Sequence, residues 1–256
     1  MSQKRLLHSF VIETNPTGES DLLVTLLTLE LGKIRCIAKG ARKSKKRFMN
    51  VLDPFAKIDA VVRTPSKTGL FFLENGWLKR GFESVRKDYS RFVLGCLCLE
   101  LVDLWCREHQ AEKEIYRLLS WYLESIEEGR DCLLCTLIFK TRLLKACGFM
   151  PSLSICHGCR KKLSGKHVGY EASTGQVFCK NCANGKAKRD LGISAIKSMD
   201  FWLAQPLAKV FRLRVSSDIM RQVWIYLKRV HSSCLEREPN AYRLTRDLLP
   251  HHEEAA

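Results

Sequence analysis

The first eighty residues alternate apolar and polar positions in short runs separated by turn residues. Leu6 to Glu13, Leu22 to Leu31, Ile34 to Lys39, Phe55 to Arg63 and Leu70 to Leu78 read as five extended segments. Asn15-Pro16-Thr17-Gly18, Gly32-Lys33 and Thr64-Pro65-Ser66-Lys67-Thr68-Gly69 supply turn chemistry between them. Beyond Arg80 the period becomes helical. Tyr89, Phe92, Val93, Cys96, Leu97, Leu99, Leu104 and Trp105 mark one helix, and Ile115, Leu118, Leu119, Tyr122, Leu123 and Ile126 mark a second within Glu112 to Glu128. Asp131 is placed to cap a third, which ends at Gly148, and the three are expected to form a bundle. Later helices are expected from Ser194 to Leu203 and from Ser216-Ser217-Asp218 through Val230, with a last segment over Tyr242 to Leu249.

Five short strands in eighty residues predict a small barrel, and an OB-fold is the five-stranded barrel of that size, with single-stranded nucleic acids or oligosaccharides as its usual ligands. The expected class is therefore α+β and multidomain: a barrel over 1–80, a helical domain over 81–150 continued by 191–250, a cysteine-containing module over 151–190 and a tail over 251–256.

That module rests on Cys156-His157-Gly158-Cys159 and Cys179-Lys180-Asn181-Cys182, two CxxC pairs separated by nineteen residues. Two residues between ligands let one tight turn aim both sulfurs at one tetrahedral ion, so Cys156, Cys159, Cys179 and Cys182 read as a four-thiolate zinc ribbon. Lys166 to Tyr170 and Gln176 to Phe178, around a Ser173-Thr174-Gly175 turn, form the ribbon that returns the second pair to the first. With four protein ligands no position is left for water, and the zinc is expected to be structural. Cys132-Leu133-Leu134-Cys135 repeats the spacing inside an apolar helical run and reads as core.

Charge changes the picture further. The net charge of +16 is uneven: residues 1–80 carry a net +8 and 156–190 a net +6, whereas 81–155 are nearly neutral. Basic blocks of this kind are the footprint of a polyanion, nucleic acid before an anionic membrane surface. The densest is Lys39-Gly40-Ala41-Arg42-Lys43-Ser44-Lys45-Lys46-Arg47, six cations in nine residues, followed by Phe48. Lys39, Arg42, Lys43, Lys45, Lys46 and Arg47 are the candidate phosphate contacts. Phe48, Phe71, Phe72 and Trp77 offer stacking faces to bases, although for the last three burial in the barrel core is the favoured reading. No segment reaches the ~20 apolar residues of a membrane span, and the few apolar residues before Glu13 are too short a run for a signal peptide. A reducing cytosol is the expected compartment for the twelve cysteines. No Walker loop, GxGxxG, GxSxG or HExxH is present, so no enzymatic site is expected.

Three stretches carry a family resemblance: Gly18-Glu19-Ser20-Asp21-Leu22-Leu23-Val24-Thr25-Leu26 with Leu31-Gly32-Lys33; Ala38-Lys39-Gly40-Ala41-Arg42-Lys43-Ser44-Lys45; and Leu143-Leu144-Lys145-Ala146-Cys147-Gly148-Phe149-Met150-Pro151 leading into the first CxxC. Glu238-Pro239-Asn240-Ala241-Tyr242-Arg243 is similar to the family's closing segment. Together they resemble RecO, the bacterial recombination mediator family. The resemblance implies an N-terminal OB-fold, a helical middle and a zinc module. It further implies binding of single- and double-stranded DNA, annealing, association with RecR, contact with the tail of the single-strand binding protein SSB, help in loading RecA, and a cytoplasmic, nucleoid-associated place of work. For the SSB tail, Lys140 and Arg142 are the candidate cations beside an apolar helix face. Composition alone fits an RNA-binding or ribosome-associated zinc protein equally well, and a nuclease with carboxylates assembled by the fold is a third reading.

Overall fold

The computed structural model describes residues 4–44, 46–63, 70–183, 189–235 and 237–248. The turn expected over Thr64 to Gly69, the tail over 251–256 and Lys45 lie outside them. The chain divides into two compact units, Met1–Glu128 and Gly129–Ala256.

In the first unit β1 (Lys4–Thr17), β2 (Asp21–Thr28), β3 (Gly32–Ala38), β4 (Lys57–Arg63) and β5 (Phe71–Arg80) close a barrel in the order β1-β2-β3-β5-β4. Every pairing is antiparallel except the short β3–β5 seam, where Cys36 faces Phe71 and Ile37 faces Phe72. This is the expected OB-fold. Period-two alternation fills it: Leu7, Val11, Val24, Leu26, Ile34, Cys36, Ile58, Ala60, Val62, Phe71 and Leu73 all point inward and are buried. The expected turn at Gly32-Lys33 falls slightly earlier, over Leu29 to Leu31. Gly32 opens β3 at φ 71°, and a Cβ there would stand 1.8 Å from the Gln110 carbonyl oxygen, so no other residue fits.

From Ser9 to Ile12 β1 is buried on both faces. Its outward Phe10 meets Tyr116 at 5.0 Å and Phe82 at 6.4 Å between ring centroids. Those rings belong to the helical layer of the same unit, α1 (Glu83–Lys87), α2 (Tyr89–Trp105) and α3 (Lys113–Glu127). Asp88 caps α2 by accepting a 2.9 Å bond from the Arg91 N–H. A half-buried ion pair adds to this layer: the Lys33 ammonium is nearly enclosed and binds the carbonyl and carboxylate of Asp103, the latter at 3.1 Å. The first two helices of the expected bundle thus pack with the barrel, because the β1 face carrying Phe10 and Ile12 needs a cover.

The third helix, α4 (Cys132–Ala146), belongs to the second unit, with β6 (His167–Tyr170), β7 (Val177–Phe178), β8 (Arg189–Gly192), α5 (Ile193–Ala204) and α6 (Ser217–Cys234). Asp131 caps α4 through the Leu134 N–H at 2.9 Å, and Ser216 caps α6. The small sheet runs β7-β6-β8, so the expected ribbon gains a third strand. It docks on α6 through the Tyr226 hydroxyl, which donates to the Gly175 carbonyl at 2.7 Å, and through an edge-on contact between Tyr170 and Tyr226. Cys135 is fully buried in α4, as expected of core.

Lys140 and Arg142 do not form the expected peptide-facing pair. Lys140 is fully buried, its ammonium 4.2 Å from the Trp224 ring centroid and 4.8 Å from that of Tyr242. Arg142 donates to the Trp202 carbonyl at 2.6 Å and to the Gln205 carbonyl. Both cations fasten α4 to its neighbours, since the α4 face that bears them is the one the later helices cover.

Candidate nucleic-acid interface and metal centre

The basic loop leaves β3 at Ala38 and is pinned before and after its cations. The Asp21 carboxylate accepts a 2.7 Å bond from the Gly40 N–H, and the Arg42 N–H donates to the Ser20 carbonyl at 3.0 Å. Ala41, Phe48, Val51 and Leu52 are all buried in the barrel core. Phe48 is therefore an anchor and not a stacking face, because the segment needs apolar side chains to hold it against the barrel. Between these anchors Lys39, Arg42, Lys43, Lys46 and Arg47 are exposed. Arg47 donates to the Lys39 carbonyl at 2.8 Å and lies over the Phe48 ring at 5.0 Å, which holds two of the cations in place. Among the described residues none of these five enters an ion pair, whereas Lys4, Arg35, Lys57, Arg63, Lys79 and Arg86 of the same unit all do. The loop presents these positive charges with no carboxylate among the described residues paired to them.

Of the other aromatic candidates, Phe71 is core at 6% exposure, Phe72 is half-buried, and Trp77 is 50% exposed on the outside of β5. The expectation of burial in the barrel core holds for Phe71 and fails for Phe72 and Trp77, which lie on the outer face.

In the second unit the sulfurs of Cys156, Cys159, Cys179 and Cys182 lie within 4.8 Å of one another. Cys159 and Cys179 are 3.8 Å apart, the sulfur separation that tetrahedral bonds of ~2.3 Å to a single ion require. Close approach of the two knuckles needs Gly158, where a Cβ would stand 3.0 Å from that of Cys182. Burial opposes ionisation of the Cys156 thiol, but backbone N–H groups of Cys159, Cys179 and Gly158 outweigh it and bring the thiol down to about 6. Hydrogen bonding with Cys179 and Cys159 instead holds Cys182 up at about 12. Four sulfurs this close ionise together only around a cation, so the donor set fits a metal ion and its all-sulfur chemistry suits zinc. Arg160, Lys161, Lys162 and Lys166 are exposed on the same module.

Comparison with known proteins bears on both features. A family model described as "Recombination protein O N terminal" matches residues 3–82, and "Recombination protein O C terminal" matches 86–243. The chain belongs to the recombination protein O family. Among curated relatives, "DNA repair protein RecO" of Desulfatibacillum aliphaticivorans is 31% identical over 242 residues, 92% of this chain and 93% of that one. The protein of the same name from Syntrophus aciditrophicus is 31% identical over 217 residues, covering 83% and 84%. That from Anaeromyxobacter sp. (strain K) is 35% identical over 179 residues, 70% of each chain. The RecO_N match coincides with the barrel and its basic loop, and the RecO_C match spans the helices and the cysteine cluster. Membership places the chain in DNA repair and recombination. Among the described residues no helix is long and apolar enough to cross a membrane.

Proposed function

We propose that this protein is a non-enzymatic recombination mediator that binds single- and double-stranded DNA and anneals complementary strands. With RecR it assists RecA loading onto DNA coated by SSB, whose tail it engages, and it works in the cytoplasm at the nucleoid. The observation that carries this reading is the pinned loop whose exposed cations Lys39, Arg42, Lys43, Lys46 and Arg47 lack carboxylate partners among the described residues, set on an OB-fold of the RecO family. Lys45, within the same run, is the sixth contact. Cations held in fixed positions neutralise phosphates of one strand, lower its repulsion for a second and so let complementary bases meet. Cys156, Cys159, Cys179 and Cys182 bind one structural zinc that fixes the small module, and the cations around it offer phosphate contacts of their own. The barrel over 1–80 and the module over 151–190 carry these cations, and the helices of 81–150 and 191–250 are shared between the two units that hold them.

The test is annealing of two complementary DNA strands, one already coated with SSB, followed by fluorescence transfer. Acceleration by the protein without nucleotide or added metal is expected, and matched RNA should compete more weakly than DNA. No acceleration, or cleavage of the strands with magnesium, overturns the reading.

A further inference from the structure

The outside of β5 carries a feature that neither the basic loop nor the cysteine cluster explains. Phe71 and Leu73 point into the barrel, and unbroken alternation would turn Trp77 inward as well. The register with β4 changes that: Val62 faces Leu73, but the next residue, Val61, faces Asn75. Glu74 is the extra residue of a β-bulge, and beyond it the alternation resumes with the opposite sense. Gly76 now sits opposite buried Ala60 and is the inward position, while Leu78, opposite Ile58 at the end of the strand, is 45% exposed. A Cβ on Gly76 would stand 3.0 Å from Val51 of the core, which shows how tightly that inward position is filled. Trp77, opposite Asp59, is thereby turned out and left 50% exposed. Re-aiming a side chain is a recurrent use of bulges.

On the same outer face, upstream of the bulge, lies Phe72. Its ring centroid is 4.8 Å from the Arg63 guanidinium and 5.5 Å from the ammonium of Lys39, the first cation of the basic loop. Outward from the loop, β5 thus presents Phe72, Asn75, Trp77 and Lys79 in line. The carboxylates beside them are engaged: Asp59 by Lys79 at 3.2 Å, Glu74 by Lys4 at 2.6 Å and by Arg63 at 3.4 Å, and Glu30, further round, by His8 at 2.6 Å. Lys4, Lys39, Arg63 and Lys79 outnumber Asp59 and Glu74, so the face around the two rings is positive.

We propose that this face of β5 is the path of an unpaired nucleic-acid strand leaving the basic loop, and that the Glu74 bulge exists to present Trp77 as a stacking platform for one of its bases. Phe72 between its two cations is the entry to that path. Aromatic rings interleaved with cations are what an unpaired strand requires, because every base has a π-face and every linkage a charge. A duplex keeps its bases stacked on each other and gains nothing from Trp77. The proposal rests on the DNA-binding reading above and adds to it a preference for single strands set by stacking.

The experiment uses the full chain and two fluorescent probes of equal length and charge, an oligothymidylate and the corresponding abasic strand, titrated at several salt concentrations. The parent is expected to bind the thymidylate more tightly than the abasic strand. W77A should lose roughly tenfold on the thymidylate, a single stacked base. Its log-log salt slope and its affinity for the abasic strand should stay parental, since no phosphate contact is removed. W77F should recover most of the loss. Thermal unfolding of both variants should match the parent because the side chain is half exposed. Equal parental affinity for the two probes overturns the proposal without any variant, as does W77A binding thymidylate like the parent or losing equally on both probes. A parent whose affinity for either probe does not depend on salt would instead remove the DNA-binding reading itself, and the proposal with it.

Discussion

Replacing Arg42, Lys43 and Lys46 by Ala removes three of the five exposed loop cations that the structure describes while keeping Ala41 and Phe48, the side chains that pin the segment. Arg47 and Lys39 are retained because they brace each other. Each phosphate neutralised on a single strand contributes about 0.7 to the log-log dependence of affinity on salt, so three contacts amount to about 2. Over a fourfold rise in salt the parent should therefore lose about twentyfold more affinity than the triple variant. Little of this change belongs to folding. The Arg42 guanidinium makes one long bond, 3.3 Å to the Glu19 carbonyl, and none of the three is in an ion pair among the described residues. Fluorescence anisotropy with a labelled oligothymidylate from low to moderate salt gives the slope, and circular dichroism checks the barrel. Base preference should be unchanged, because phosphate contacts position a strand without reading it. A triple variant with the parental slope would refute the assignment and direct attention to Arg160, Lys161, Lys162 and Lys166.

Two further outcomes follow from the second unit. Cys179→Ser should abolish stoichiometric zinc in elemental analysis and expose residues 150–190 to limited proteolysis, since structural zinc contributes folding free energy directly; a freshly purified, never-chelated parent without metal would defeat the zinc assignment. His231 is fully buried in α6 and donates its Nε2–H to the Lys140 carbonyl at 3.1 Å. Burial first, and then the neighbouring Lys140 charge, hold its pKa well below 6.5. The unfolded chain takes up the proton first as pH falls, so this contribution is complete above ~6.5 and is lost below it, at up to about 1.4 kcal/mol per pH unit. Urea midpoints from pH 7.5 to 5 should fall in the parent and fall less in His231→Gln; parallel curves would show that another group governs the acid limb.

What was legible in the sequence divides by the range of the signal. The cysteine ligands were legible because a CxxC knuckle is a local geometry, and the second knuckle needs only a ribbon to return. The caps at Asp88, Asp131 and Ser216 are local in the same way, although only the latter two were read. Barrel strands were legible from period two, and their closure followed from number and size. Trp77 was misplaced because burial was read from aromatic character alone, and the Glu74 bulge that turns it outward is visible only in the register against β4. Lys140 looked like a surface cation because α4 is apolar on nearly every side. Nothing local to it tells that Trp224 and Tyr242, some ninety residues on, will enclose its ammonium. The assignment of α2 and α3 to the barrel depended on Phe10, an outward strand residue whose cover lies about a hundred residues away.

The β3–β5 seam has a kinetic consequence. Its two register pairs, Cys36 with Phe71 and Ile37 with Phe72, join strands that are far apart in sequence, while β1–β2 and β2–β3 are hairpins between chain neighbours and β4–β5 pairs along nearly its whole length. Loop-closure entropy orders such events, local hairpins before distant seams. The barrel is thus a meander and a hairpin joined along two non-local seams, β1–β4 with seven register pairs and β3–β5 with two, and the shorter seam is the one expected to open first. Amide exchange along this seam is expected to be faster than within the hairpins, which hydrogen-exchange measurement checks. Because the basic loop springs from β3 at this point and Phe72 lies across it, the breathing edge of the barrel and its most positive surface are one place.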